Sequence, residues 1–204
     1  MKLPAMVVVA FVCVPSACLA QDRFFFFQTD RLEYVENTET WLWDMQGWYG
    51  SDENKFWWKT EGELDSGSAE EAELQLLYSR PVSAFWDFQV GIRHDFEPTP
   101  SEYHAVIGMQ GLAPQWFELD LAAFISEDGD ISARLEAEYD LRITQRLILQ
   151  PRAELETEPE SVDLSLRLRY EIRREIAPYI GISWHDEAGR DDFTSFVVGA
   201  RLWF

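Results

Sequence analysis

The chain has 204 residues and carries 37 Asp and Glu against 17 Lys and Arg, a net charge of −20, so it offers no basic footprint for nucleic acid. Aromatic residues make up 15% of it, nine of them Trp, which excludes a disordered chain. Both cysteines, Cys13 and Cys18, fall within the first twenty residues, so disulfides, thiol nucleophiles and thiolate metal sites are excluded from everything downstream.

Residues 1–20 read as a secretory signal peptide. Lys2 supplies the positive start, Met6 to Val14 (MVVVAFVCV) the apolar run, and Cys18-Leu19-Ala20 a small-x-small cleavage site. That run is too short for a membrane helix, and no later stretch reaches the roughly 18 apolar residues that one needs. Residues 21–29, with the run Phe24-Phe25-Phe26-Phe27, have no alternation of their own and read as a short N-terminal lead-in.

From Asp30 onward the pattern is extended. Twelve strand-like segments follow: Asp30–Asn37, Thr40–Gly50, Asn54–Leu64, Glu71–Ser79, Ala84–Phe96, Glu102–Leu112, Gln115–Ser126, Ile131–Ile143, Arg146–Glu156, Ser161–Arg173, Pro178–His185 and Asp192–Phe204. The alternation is densest between Ile131 and Glu158. There Arg134, Glu136, Glu138, Asp140 and Arg142 on the way in, and Arg152 and Glu154 on the way out, interleave with apolar residues. One face is apolar and the other carries both signs of charge at nearly every position, where a soluble sheet would use Thr and Ser. This is the pattern of an all-β, antiparallel transmembrane barrel of about twelve strands, spanning residues 30–204, with lipid outside and a polar lumen inside. The closing strand ends on Phe204, with Phe196, Val198, Ala200 and Leu202 on the same face, as many outer-membrane barrels end.

The turns alternate between two kinds. Short ones, often with Pro, include Arg80–Ser83, Ala113-Pro114, Thr144-Gln145 and Glu175–Pro178; acidic, longer ones include Asp65–Ser68, Glu97–Pro100, Glu127–Asp130, Thr157–Glu160 and Glu187–Asp191. Placing both chain ends in the periplasm puts the short set there and the acidic set outside the cell, the usual order of loop lengths.

Parity then defines the lumen wall. Lys55, Lys59, Glu61 and Glu63 point inward, followed by Glu71, Glu73, Asp87, Arg93, Asp95, Glu118 and Asp120. Arg134, Glu136, Glu138, Asp140, Arg142, Arg152, Glu154, Asp163, Arg167, Arg169, Glu171, Arg173 and Arg201 continue the set. Opposite signs interleave, so most of them are expected to pair and fill the barrel.

Metal-ligand candidates are few. His94 and His104 flank one hairpin, but parity turns His104 inward and His94 outward unless a bulge intervenes. His185 faces inward from a distant strand, and Glu102 adds a hard oxygen ligand beside His104. Rim histidines facing headgroups or water are the competing reading. Met45 and Met109 both turn toward lipid. Ser183 and His185 share a face, yet nothing marks the third group and oxyanion donor that a barrel hydrolase needs, so the chain reads as a non-enzyme.

Several long strings resemble the copper resistance protein B (CopB/PcoB) family of outer-membrane proteins. They are Leu42–Glu63, Glu71–Phe96, Gln110–Asp120, Arg134–Leu155, Leu166–Trp184 and the closing Gly199–Phe204, with LRYEIRREIAPYIG and EYDLRITQRLILQPR the most specific. The resemblance implies an outer-membrane barrel serving copper tolerance by export or sequestration, with membrane lipid around it and periplasmic copper-handling proteins as partners. It also implies copper as the metal, although no site in this sequence singles copper out. Members of the family commonly carry a Met- and His-rich segment ahead of the barrel; Gln21–Thr29 contains neither residue. A generic small pore or structural barrel with no metal role is the alternative.

Overall fold

The computed structural model describes residues 23–65 and 67–204; the signal peptide read from residues 1–20 lies outside the described residues. Thirteen strand segments form one antiparallel sheet: β1 (Phe24–Val35), β2 (Thr40–Gly50), β3 (Lys55–Asp65), β4 (Ser68–Pro81), β5 (Trp86–Glu97), β6 (Glu102–Leu112), β7 (Glu118–Ser126), β8 (Ile131–Glu138), β9 (Leu141–Arg142), β10 (Leu147–Thr157), β11 (Glu160–Tyr170), β12 (Ile176–Glu187) and β13 (Phe193–Trp203). Consecutive strands pair, except that β8 and β9 lie end to end and both pair with β10, and β13 pairs with β1. The sheet therefore closes into a barrel of twelve staves, which leaves no free edge.

The stave expected as one strand over Ile131–Ile143 is split at Tyr139-Asp140 into β8 and β9. The cause is Pro151 on β10. Its carbonyl accepts the Tyr139 N–H at 3.2 Å, so its own ring nitrogen faces the same neighbour with no hydrogen to donate in return.

The lead-in expected at residues 21–29 is corrected from Phe24 onward, residues 21 and 22 lying outside the described residues: the Phe run opens β1. Phe24 pairs with Gly50 and Phe27 with Gly47 on β2. On the other side Phe27 and Phe204 exchange both backbone hydrogen bonds, at 3.0 and 2.8 Å, so the terminal Phe closes the seam between the two ends of the chain. Period two is lost in β1 because a bulge between Thr29 and Arg31 sets two residues opposite Asp44.

The outer face is apolar in bands. Phe25, Tyr49, Phe56, Tyr78, Phe85, Trp116, Tyr170 and Phe204 stand exposed near the end that carries both termini; Trp41, Phe96, Tyr103, Phe193 and Phe196 stand exposed near the distal end. Between them lie Val90, Ile92, Ile107, Leu121, Leu166, Ile180 and Ile182, also exposed. A continuous greasy belt between aromatic girdles has no place in water and fits a bilayer. Among the described residues no helix is long and apolar enough to cross a membrane; the crossing is made by strands.

Two Gly–Trp pairs brace the belt between β2 and β3. Gly47 faces Trp58 and Gly62 faces Trp43 directly across the ladder, and each indole lies where a side chain on the glycine would stand. A Cβ on Gly62 would meet the Trp43 ring at 2.3 Å and the Glu71 carbonyl at 2.4 Å. The Gly62→Val substitution is therefore expected to destabilise the barrel by about 1–3 kcal/mol, read as a lower midpoint in a heat-dependent gel-mobility assay; an unchanged midpoint contradicts this packing.

Candidate functional site

Alternation along the strands turns the charged residues into the lumen, where they meet across the barrel. Arg134 on β8 reaches Glu61 on β3 at 3.3 Å and Glu73 on β4 at 3.1 Å, as well as Glu156 on β10 at 2.7 Å. With four and three staves between them, the contacts to Glu61 and Glu73 run through the lumen, not along the wall. Lys59 on β3 likewise pairs with Asp120 on β7. Arg152 on β10 lies 3.9 Å from Asp44 on β2, and Arg201 on β13 lies 3.7 Å from Glu138 on β8. Arg167 on β11 holds Glu33 on β1 at 2.8 Å, with both side chains almost fully buried.

The wall itself demands these cations. Glu61 stands directly opposite Glu73, Glu63 opposite Glu71, Glu118 opposite Glu138 and Asp120 opposite Glu136. Like charges facing across a ladder destabilise it. Arg134 lies between Glu61 and Glu73, while Lys59 and Arg152 serve Asp120 and Glu136.

The interior is not purely polar. Trp57, Leu77, Val106 and Phe124 form a buried apolar cluster on the inner face, and Phe124 supports the Arg93 and Arg134 guanidinium groups at 4.7 and 5.7 Å from its ring. The lumen holds two chambers, which meet at Glu61, Glu73 and Arg134. The distal one, about 570 Å³, is lined by ten carboxylates, including Glu71, Glu102 and Glu187, against Arg93, Arg134 and Arg190. The inner one, about 290 Å³, is lined by eight carboxylates, including Asp30, Asp44 and Glu118, against Lys59 and Arg134.

Most of the lumen residues expected from parity face inward and are ion-paired there. Lys55 pairs with Asp87 at 2.5 Å, Arg93 with Asp95 at 2.6 Å, and Arg169 with Asp140 at 2.6 Å. Arg152 contacts Glu136 at 2.6 Å and Glu154 at 2.8 Å. Three residues stand elsewhere. The tenth stave ends at Tyr170, so Glu171 lies past it at the rim and Arg173 is exposed in the following turn. Arg142 keeps its inward register opposite Ile148 but is exposed at the mouth.

Parity missed Asp30, Arg31, Glu33 and Asp44. The bulge in β1 brings Asp30 to Arg201 at 2.9 Å and Arg31 to Asp44 at 3.3 Å. The one available signal was Asp44 itself, a charge held among the aromatics of β2.

The histidines do not converge. His94 faces outward between Phe96 and Tyr103, with ring centroids at 4.4 and 4.1 Å. His104 faces the distal chamber, its Nε2 3.1 Å from Asp95 and 3.9 Å from Glu102. His185 bonds Asp163 through Nδ1 at 2.8 Å and turns Nε2 toward Glu187 at 3.8 Å. Both its ring nitrogens thus face carboxylates and not the Ser183 hydroxyl. Among the described residues no three His, Cys, Asp or Glu side chains converge as a metal-holding group.

Residues 23–204 match the family model described as copper resistance protein B precursor (CopB). Copper resistance protein B of Escherichia coli is 40% identical over 200 residues, covering 86% of this chain and 68% of that one. A copper resistance protein B homolog of Pseudomonas syringae pv. tomato is 38% identical over 204 residues, covering 88% and 69%. Among solved structures, the NanC porin superposes with a TM-score of 0.59 at 13% identity, over 88% of this chain and 99% of that one. Outer membrane phospholipase A from Escherichia coli superposes at 0.53 with 12% identity, over 89% and 92%. At such identities the two barrels share the fold alone.

Proposed function

The chain belongs to the copper resistance protein B family, and on that premise we propose that this outer-membrane barrel serves copper tolerance by passing copper through its lumen. The observation that supports passage over storage is the spread of the donors. Carboxylates recur along both chambers, singly or in facing pairs, and each gives a cation a brief hold. His104, with Asp95 and Glu102 beside it in the distal chamber, is the first contact in this reading, because imidazole suits cupric ion better than oxygen does. Its partners fit copper as cargo. Met45 and Met109, the soft ligands of the described residues, are on the outer face: Met45 pairs with Thr60 in the outward register, and Met109 is exposed.

In the same reading the termini face the periplasm, and periplasmic copper-handling proteins meet the barrel at that end. No catalytic role is assigned to Ser183 and His185, since the Nε2 that would serve the serine turns to Glu187 instead.

Deleting the protein is expected to lower survival under copper stress and leave growth without copper unchanged. Unchanged tolerance would remove the copper role and leave a structural barrel. Copper titration of the purified chain is expected to show binding that does not survive desalting; retained stoichiometric copper would favour sequestration instead.

A further inference from the structure

We propose that the lumen is a two-chamber route for small cations, latched at Arg134. This deepens the passage reading above, and because its test contains no copper, either can fail alone.

The two chambers share three lining residues, Glu61, Glu73 and Arg134. The wall between them is therefore the Arg134 guanidinium and the carboxylates it holds, with Arg93 beside it on Glu73 at 2.9 Å. No strand runs through this layer: every strand segment is a stave, and the one helical turn of the described residues, Pro114–Trp116, joins β6 to β7 at the end that carries the termini. The layer is built of side chains, so in this proposal rotation of Arg134 opens it without any movement of the backbone.

The charges decide what passes. Carboxylates outnumber cations in both chambers, ten against three in the outer lining and eight in the inner against Lys59, Arg134 and the arginines paired behind them, Arg31, Arg152 and Arg201. This excess concentrates cations and disfavours anions. They also define how the latch opens. Glu61 and Glu73 face each other across the ladder, so they require a positive charge between them whether or not Arg134 supplies it. An entering cation that takes that place lets the guanidinium leave without stranding either carboxylate. Arg134 keeps Glu156 as a second partner at 2.7 Å and Glu154 as a third at 3.5 Å, both on β10 next to its own stave, so it has somewhere to go.

Residues 23–204 contain no cysteine, which allows a single-cysteine reporter. Gln110→Cys places a thiol in the inner chamber and Ser132→Cys one in the outer. Each refolded barrel is reacted in detergent with a trimethylammonium methanethiosulfonate and with a sulfonate one. Access from the terminal end is common to all variants, so a difference between variants reports the latch.

Arg134→Ala is expected to speed the cationic reagent at Gln110→Cys by about tenfold or more, with little gain for the anionic reagent and none at Ser132→Cys. Glu73→Gln, which keeps the arginine but removes a partner, shifts the rate in the same direction and carries the test if Arg134→Ala does not fold. Rates equal to the parent in the folded variants, or equal gains for both reagents, overturn the proposal.

Discussion

Arg134→Ala is expected to be among the most damaging single substitutions in the barrel, lowering its stability by about 3–5 kcal/mol. The guanidinium lies within 3.5 Å of Glu61, Glu73, Glu154 and Glu156, from three different staves. Removing it leaves Glu73, which is 7% exposed, facing Glu61 across the β3–β4 ladder, with Arg93 on Glu73 at 2.9 Å and Arg31 3.7 Å from Glu61 as the remaining cations. Arg134→Lys restores the charge but not the planar fork that engages several carboxylates together, so an intermediate loss is expected. Heat-dependent gel mobility of the refolded barrel reads the order wild type, Lys, Ala; equal midpoints for all three would mean that the cluster contributes nothing to closure. Because barrels of this kind unfold irreversibly in such an assay, the midpoints compare unfolding rates.

The second large effect is expected at Glu33. It is 1% exposed, and Arg167, at 3% exposure, meets it through two guanidinium nitrogens at 2.8 and 3.4 Å. Two staves, β12 and β13, separate them through the β13–β1 seam, and the Arg167 guanidinium also sits 5.7 Å from the Tyr179 ring. Glu33→Ala strands a buried cation and is expected to cost about 3–5 kcal/mol, whereas Glu33→Leu with Arg167→Met removes both charges and their desolvation together. The double variant should therefore be more stable than Glu33→Ala alone. A double variant that falls below it would show that the pair supplies a geometry apolar packing cannot replace.

The barrel itself was legible in the sequence because a membrane barrel writes its register in charge. One residue out of phase would put Arg134 or Glu136 into lipid, so alternation fixes the face of the residues in the body of each stave. β2 and β6 begin and end where their patterns do, at Thr40–Gly50 and Glu102–Leu112. What parity could not show depends on departures from it. The bulge at Thr29–Arg31 shifts the phase of the first strand segment and so hides Asp30, Arg31 and Glu33 as lumen residues, and the proline that splits the eighth stave stands on its neighbour. Nor does parity give reach. That Arg134 crosses to β3 and β4 instead of pairing only along its own hairpin depends on the diameter of the closed barrel. The two chambers follow from that crossing. The histidines show the opposite case: a hairpin spacing that brings His94 and His104 close in the chain sets them on opposite faces in the fold.

The lumen's role in copper tolerance is tested most directly by rescuing the deletion strain with a barrel whose Glu63, Glu71 and Glu118 are all changed to Gln. None of the three takes part in the cross-lumen ion pairs described above, so the closed barrel should form at the wild-type level. Survival under copper is then expected to fall to that of the strain without the protein. Full rescue by this variant, at equal amounts of folded barrel in the outer membrane, would contradict passage along the lumen carboxylates.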